Sequence, residues 1–232
     1  MNRLSGPGDA LKDVPRLPSE VIAEVPYRRD VLPDGRETVV IGDVKSFREY
    51  CHQQGENPFG FRGTCGLCSC ELILRQFGLE ITEADVVAYA RDHRLCNTRG
   101  HPQRRGGTTH IDQERILSDF GVPAHYETTR TLDDLAASIQ HGQGVILHVD
   151  AGVLWNDANY YAGQANHAVT AIGVARDLET GQIQGFYIND TGPDTPGRFV
   201  DIATMDEAWV KMGGACVVTD QAYPKNQQRT TS

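Results

Sequence analysis

The pattern of apolar residues changes its period halfway along the chain, and this change limits the folds that the sequence can adopt. The first half carries helix signals, such as the capping residues Thr82 and Thr131 and the helix-ending Gly78. The second half carries short apolar runs between Gly, Pro and Asp turns, which predict strands over 144–149, 167–174, 185–190, 198–202 and 215–219. Helices followed by strands indicate an α+β fold, in which a mostly antiparallel sheet packs against a helical layer.

Length and composition favour one folded domain with polar ends. The chain has 232 residues, enough to bury a sizeable core without disulfides. Residues 1–37 are rich in Pro, Gly and charge and have no sustained period, so we predict an irregular arm or linker there. One domain is then expected over 38–221, with a helix from Asp43 to Gln53 near its start, and a polar tail over 222–232.

Charge and hydropathy exclude several classes of partner. Lys and Arg total 22 against 31 Asp and Glu, a net charge of −9, which argues against nucleic acid and anionic membranes as partners. No stretch is apolar enough for a transmembrane helix or a signal peptide. With 6 Cys, too few for a disulfide scaffold of this size, we expect reduced thiols in a soluble protein of the reducing cytoplasm.

Three cysteines lie close together at the predicted start of a helix. Residues 61–71 read FRGTCGLCSCE, a glycine-containing loop that leads into an apolar helix ending near Phe77. Cys65 is at or near the first position of this helix, where unpaired backbone N–H groups and the helix dipole stabilise a thiolate. Gly63 and Gly66 leave room for a substrate backbone. Cys65 is therefore the candidate nucleophile, and we expect the other cysteines to be small buried apolar residues.

A structural zinc site is the alternative interpretation of these cysteines. The C-x-x-C-x-C spacing, together with the soft ligands nearby, offers enough donors for zinc; those ligands are Cys96, His93, His101 and His110. A second ligand pair with matching spacing is missing. The favoured interpretation therefore assigns no metal ligand and no cofactor, and a zinc-stabilised protein-binding module remains the alternative from a different class.

A cysteine nucleophile needs a base, and His167 is the candidate. It occupies the first position of an apolar strand and follows the long polar segment 150–166, which we expect to lie over a cleft. His148 is the main competitor. Its apolar neighbours on both sides favour a core histidine with satisfied hydrogen bonds.

A third group has to hold the imidazole in its productive tautomer. The strands over 167–176 and 183–190 are joined by a short hairpin-like link. If they pair antiparallel about residue 178 or 179, His167 lies opposite Asp190 or its neighbour Asn189. Asp190 is then the candidate acceptor of the Nδ1 proton of His167. A turn at a strand end is the structural alternative for Asp190.

These residues, in this order, resemble the papain-like cysteine peptidase superfamily. Within it the chain is similar to the double-glycine-leader peptidases that process bacteriocins and to the papain-fold domains of bacterial polymorphic toxins. The resemblance covers about Gly42 to Thr219. It rests on the order and spacing of short segments, namely TCGLC from Thr64, the helix and strand over 132–149, NHAV from Asn166 and GFYIND from Gly185.

The resemblance implies that Cys65 is the nucleophile, His167 the base and Asp190 the carboxylate that orients it. It also implies a Gln shortly before the nucleophile as an oxyanion donor, but Phe59 occupies that position. If an insertion separates the donor from the cysteine, Gln54 is the candidate. The backbone N–H of Cys65 would supply the second donor.

The predicted activity is acyl transfer through a thioester, in the first place by a peptidase that acts on a protein or peptide substrate. The same residues would serve a glutamine deamidase or a transglutaminase, because the difference between these enzymes lies in the pocket walls. The resemblance to toxin domains further implies an effector delivered into a target cell as part of a larger secreted protein. It also implies a cognate immunity or inhibitor protein as a partner.

Overall fold

The computed structural model describes residues 25–32 and 34–224, in which helices cover both faces of an antiparallel sheet. The strands are β1 Tyr27–Val31, β2 Glu37–Ile41, β3 Ala124–Glu127, β4 Gln143–Val149, β5 His167–Asp177, β6 Ile183–Asp190, β7 Thr195–Asp201 and β8 Cys216–Ala222. The helices are α1 Val44–Phe47, α2 Cys65–Gln76, α3 Glu83–Asp92, α4 His110–Asp119, α5 Leu132–Gln140, α6 Ala151–Trp155 and α7 Ile202–Met205. Among the described helices, none combines the length and the apolar character that crossing a membrane requires.

β5 organises the sheet because it pairs with three strands. β6 runs along one edge of β5, while β4 and β2 share the other edge, β4 near its start and β2 near its end. Residues 167–175 of β5 are all buried, as expected for a central strand with a near-continuous apolar sequence. His167 is the first residue of β5, so the most enclosed strand of the sheet positions this side chain.

α2 lies against one face of this sheet. Its residues Leu67 and Ile73 share an apolar cluster with Ile146 of β4 and Ala168 of β5. The opposite face is covered by α5 and by the fully buried Trp209, which lies in a π-helical turn after α7. Packing on β4 and β5 therefore brings the start of α2 close to the start of β5.

The α+β prediction is confirmed, and so are several element boundaries. α2 begins at Cys65, the residue that the sequence places at the helix start. Thr82 and Thr131 form capping boxes with Asp85 and Asp134 at the starts of α3 and α5. These local signals predict element boundaries well because each capping interaction lies within a few residues of the boundary it sets.

The chain ends differ from the prediction. Tyr27–Val31, inside the predicted irregular arm, forms β1 and pairs with β2. Its sequence YRRDV lacks apolar alternation because an edge strand can expose its side chains on both faces. At the other end β8 includes Ala222, and the ring of Tyr223 packs edge-on against Phe47. Residues 1–24, 33 and 225–232 of these two predicted segments lie outside the described residues.

Two predictions about internal segments also need correction. The helix expected from Asp43 to Gln53 ends at Phe47 and is followed by a 3₁₀ turn, Arg48–Tyr50. The segment 150–166, expected to be a loop, contains the short helix α6, whose first turn is capped by the side chain of Asp150. Both departures are short helical turns, which offer too few residues for a periodic pattern.

A loop over residues 97–107 is fixed against the chain just before α2. The N–H of Arg62 donates to the carbonyl of Pro102 (3.0 Å), and the N–H of Gly63 donates to the carbonyl of Arg105 (2.9 Å). A Cβ on Gly63 would lie 2.3 Å from the carbonyl oxygen of Gln103, closer than non-bonded atoms approach. The contact between this loop and the start of α2 therefore requires glycine at position 63.

We predict that Gly63→Ala destabilises the protein, because the loop has to move away from the new methyl group. Overpacking of this kind costs about 1–3 kcal/mol, which corresponds to a fall in Tm of about 2–10 °C for a domain of this size. Gly107→Ala in the same loop is the matched control, since its Cβ would be 3.4 Å from the carbonyl oxygen of Arg104. Thermal melts of both variants test this, and equal Tm values for the two would contradict it.

Candidate active site

The thiol of Cys65 lies where the first turn of α2 meets the first residues of β5. The side chain of Thr64, the residue before the helix, does not cap the backbone N–H groups of the first turn. The pKa of the Cys65 thiol is lowered by the ring of His167 and by the backbone N–H groups of Gly66 and Ala168. The thiolate of Cys65 is therefore stabilised from both the helix and the strand.

His167 connects Cys65 to Asp190. Its Nε2 atom is 2.7 Å from Oδ1 of Asp190, and Asp190 is fully buried while His167 is 8% exposed. Because Nε2 faces the carboxylate, Nδ1 is the ring nitrogen that remains for Cys65. The expectation that Asp190 accepts the Nδ1 proton is therefore wrong, although the three predicted side chains do lie together.

The pairing of β5 and β6 explains how His167 reaches Asp190. Thr170 lies opposite Asn189, and one further step along the ladder places Asp190 beside Val169, not beside His167. His167 and Val169 share a face of β5, so His167 reaches Asp190 along a diagonal between the strands. The offset arises because the hairpin is centred between residues 179 and 180, as the pairs Arg176 with Ile183 and Thr170 with Asn189 both show, and not at residue 178 or 179.

Asn189, the other candidate partner from the hairpin argument, has different contacts. Its side-chain NH₂ donates to the carbonyl of Phe47 (2.8 Å), and its Oδ1 accepts the backbone N–H of Gly197 (2.9 Å). Successive strand residues point to opposite faces, so Asn189 faces away from the histidine. The geometry therefore selects Asp190 over Asn189 as the partner of His167.

The charges on Cys65 and His167 follow from opposing effects. Burial raises the pKa of Cys65. The interaction with His167 and the backbone donors lower it by more than burial raises it, so the net shift of the thiol pKa is downward. Burial lowers the pKa of His167, but the hydrogen bonds and charges of Asp190 and Cys65 raise that pKa to about 10. Between these two pKa values the pair exists as thiolate and imidazolium, the reactive form of a nucleophilic cysteine.

Trp155 is a fourth member of the site, and the sequence analysis missed it. Its Nε1–H donates to Oδ2 of Asp190 (2.6 Å), and its ring packs edge-to-face on His167 with the centroids 5.1 Å apart. The backbone N–H of Gly192 donates to Oδ1 of the same carboxylate (3.0 Å). Trp155 is the last residue of α6, and a tryptophan within a predicted polar loop was the one signal that could have identified it.

Gln54, the predicted oxyanion donor, lines the same cavity as Cys65. Its side-chain NH₂ donates to the carbonyl of Arg62 (2.9 Å), which uses one of the two N–H bonds of the amide. In contrast, the NH₂ of Gln53 donates to two backbone carbonyls just after β6. Gln54 is therefore the glutamine of this pair that keeps an N–H available for a ligand.

The cavity has a volume of about 710 Å³ and extends from Cys65 and His167 to α4. His148 lines it and bonds through Nε2 to Oε1 of Gln113 (2.9 Å). Burial lowers the pKa of His148 to about 4, so the ring is neutral near pH 7. His148 thus has the satisfied hydrogen bond that the sequence analysis expected, but it forms part of the cavity wall.

The zinc ligands considered from the sequence do not come together. Within the described part of the chain, the His, Cys and acidic groups that converge are His52, Cys68 and Glu71, whose ligand atoms lie within 4.8 Å of one another. Glu71 already binds His52 (2.6 Å) and Arg75 (3.2 Å). This group joins the segment before α2 to α2 itself. Cys68 is the one member of the group that the sequence analysis proposed as a zinc ligand.

We predict that the pH dependence of Cys65 alkylation reports its ion pair with His167. With iodoacetamide, the wild-type rate should reach half its maximum below pH about 8.5, the usual cysteine pKa. In His167→Ala the midpoint should lie above that value, because the burial that raises the pKa of the thiol remains while the imidazolium is lost. Mass spectrometry of the Cys65 peptide measures both rates, and a wild-type midpoint at or above that of His167→Ala would contradict the ion pair.

A second prediction follows from the three donors that face Asp190. Asp190→Asn replaces one carboxylate oxygen with an NH₂ group. In either orientation of the amide this NH₂ faces an N–H donor, so a buried donor is left without an acceptor. An unsatisfied buried donor costs about 1–3 kcal/mol. Trp155→Phe removes one donor, so when it is combined with Asp190→Asn it should restore part of the free energy of unfolding. A double-mutant cycle by denaturant unfolding should give a coupling of about 1 kcal/mol or more.

The matched control for this cycle is Trp209→Phe. Trp209 is also buried, and its Nε1–H bonds to the carbonyl of Ala215 (2.8 Å), so it should show no coupling to Asp190→Asn. If the two tryptophans couple to Asp190 equally, the hydrogen bond from Trp155 has no specific role.

Comparisons with known proteins identify the family of the chain. The Peptidase_C39 like family model matches residues 47–217, a range that contains Gln54, Cys65, His167 and Asp190. A solved structure described as a C39-like peptidase from Bacillus anthracis shares the fold, with a TM-score of 0.52 and 18% identity over 75% of this chain and 95% of that chain. No curated protein matches the sequence. Because the family match spans most of the chain, the protein belongs to the Peptidase_C39 like family, within the papain-like cysteine peptidase superfamily.

Proposed function

We propose that this protein is a peptidase in which Cys65 is the nucleophile, His167 the general base and acid, and Asp190 the group that orients His167. The observation that supports these roles most strongly is that Cys65 and His167 line one cavity while Nε2 of His167 lies 2.7 Å from the buried carboxylate of Asp190. This cavity is large enough for several residues of a peptide.

In the first half of the reaction the Cys65 thiolate attacks the carbonyl carbon of the scissile amide. A C–S bond forms, and the carbonyl electron pair moves to the oxygen. The backbone N–H of Cys65 and the free N–H of Gln54 would donate to this oxyanion. When the C–N bond breaks, the imidazolium of His167 gives its Nδ1 proton to the leaving amine, and a thioester remains on Cys65.

In the second half of the reaction water hydrolyses the thioester. Neutral His167 takes a proton from the water through Nδ1, the resulting hydroxide attacks the acyl carbon, and the C–S bond breaks to regenerate the thiolate. Throughout both steps Nε2 keeps its bond to Asp190. Trp155 supports this arrangement, because it holds the second carboxylate oxygen and packs on the imidazole.

A Gln side-chain amide attacked in the same way would give a deamidase or a transglutaminase. Family membership favours the peptidase, since the family is one of cysteine peptidases. Delivery as a toxin domain and a cognate inhibitor protein remain predictions that rest on the resemblance to toxin domains.

The test compares the wild type with Cys65→Ala on a mixture of cellular proteins. Sequencing of new N-termini should reveal cleavage by the wild type, with a loss of about 10³-fold or more in the Cys65→Ala variant. The fold should survive, because Cys65 is partly exposed and lies at the edge of the core. If the wild type instead produces Gln-to-Glu conversion without new N-termini, the protein is a deamidase.

Cys68→Ala is the matched control for this experiment. Cys68 is fully buried one turn further along α2, and burial raises its pKa well above the usual value. We expect Cys68→Ala to keep its cleavage activity and to lose only stability. Loss of cleavage in folded Cys68→Ala, with cleavage retained in Cys65→Ala, would show that the nucleophile is assigned wrongly.

A further inference from the structure

The cavity beside Cys65 differs in charge from the rest of the protein. The chain carries a net charge of −9, yet the residues that line the cavity include two arginines, Arg62 and Arg104, and no Asp or Glu. The cleft in which the reaction would take place is therefore a positively charged region on an acidic protein.

The backbone that carries both arginines is held rigidly. Arg104 belongs to the loop over 97–107, whose ends are joined by hydrogen bonds between the backbones of Asn97 and Gly106 and of Asn97 and Gly107, both 2.8 Å. The side chain of Asn97 also donates to the carbonyl of Arg104 (2.7 Å). Since this loop is in turn bonded to the backbone of Arg62, the backbones of the two cationic residues are fixed relative to each other.

Neither arginine is neutralised by the rest of the described chain. Within residues 25–32 and 34–224, no carboxylate lies within 4.0 Å of the guanidinium of Arg62 or Arg104. Arg62 and Arg104 are both exposed, so each presents a guanidinium with several free donors, a group that binds carboxylates in a bidentate manner.

From the sign of this charge, its position and its lack of a partner, we infer that the peptidase selects substrates with an acidic side chain near the scissile bond, bound by Arg62 and Arg104. This inference rests on the proposed function. An extended peptide advances about 3.3–3.6 Å per residue, so an arginine beside the nucleophile reaches side chains within about three residues of the bond. The negative surface outside the cleft would repel a long polyanion, which favours a peptide with a local acidic group.

Cleavage of a library of proteome-derived peptides tests the preference. The wild type should enrich Asp or Glu at one or more positions within about three residues of the cleaved bond. The double variant Arg62→Glu with Arg104→Glu should lose this enrichment and prefer Lys or Arg there, with a fall of about tenfold or more in kcat/KM for acidic peptides. The control is Arg29→Glu with Lys45→Glu, which changes net charge equally at exposed positions outside the cavity lining and should keep the wild-type preference.

A second measurement is independent of peptide cleavage. Iodoacetate carries a carboxylate and iodoacetamide does not, so the ratio of their rates with Cys65 measures the potential at the sulfur. This ratio should fall about tenfold in the Arg62→Glu and Arg104→Glu variant and should not change in the control. In the wild type it should also fall as salt is added, because salt screens exposed charges.

The two measurements separate the inference from the function on which it rests. Cleavage by the wild type without acidic enrichment, or an unchanged reagent ratio in the double variant, would overturn the preference while leaving the peptidase intact. A ratio that changes as expected, in a protein that cleaves no peptide, would overturn the peptidase and leave a site for anions beside Cys65.

Discussion

The contact between Cys65 and His167 joins the two layers of the molecule, and the rest of the site depends on it. The sulfur belongs to a helix and the imidazole to a strand, so their distance is set by how α2 packs on β4 and β5. That packing is a close apolar contact between buried side chains, which tolerates little displacement. A small shift of α2 would separate the thiolate from the imidazolium and leave two charges in a region of low solvent access, at a large cost in free energy.

Burial shifts the pKa values of Cys65 and His167 in opposite directions. Taken alone, it disfavours both charged forms, since it raises the pKa of the thiol and lowers that of the imidazole. The mutual interaction of the two charges, the Asp190 carboxylate and the backbone donors reverse both effects. Asp190 can contribute because Trp155 and Gly192 satisfy it with hydrogen bonds. The Asp190 carboxylate stabilises the His167 imidazolium, and the imidazolium in turn stabilises the Cys65 thiolate.

Close contacts at three glycines shape the walls of the cleft. Gly63 and Gly66 lie where the loop over 97–107 and its continuation reach the start of α2, and a Cβ at Gly66 would be 2.2 Å from Oγ1 of Thr108. Gly192 plays the same part beside Trp155 and His167. These contacts fix the distance between the nucleophile and the segment that carries Arg104, so the charge of the cleft and its chemistry derive from the same packing.

Local signals in the sequence were enough to predict many of the elements. Capping residues and glycines predicted the bounds of α2 and the starts of α3 and α5, and the apolar runs predicted β4 to β8, because these signals lie within a few residues of the structure they specify. The order of Cys65, His167 and Asp190 along such elements was enough to propose a site. The edge strand β1 and the short helix α6 were missed because neither carries a periodic apolar pattern.

Contacts between distant segments arise in the folded protein alone, and they set the details of the site. In the fold, Nε2 of His167 and not Nδ1 faces Asp190, which lies diagonally across the pair of β5 and β6. The fold also brings Trp155 into the site, although this residue lies 35 residues before Asp190 in the chain. The fold also distinguishes Gln54, the predicted oxyanion donor, from its neighbour Gln53, because hydrogen bonds to backbone carbonyls leave a free side-chain N–H on Gln54 but not on Gln53. Such contacts depend on side-chain directions and register, and no local pattern encodes them.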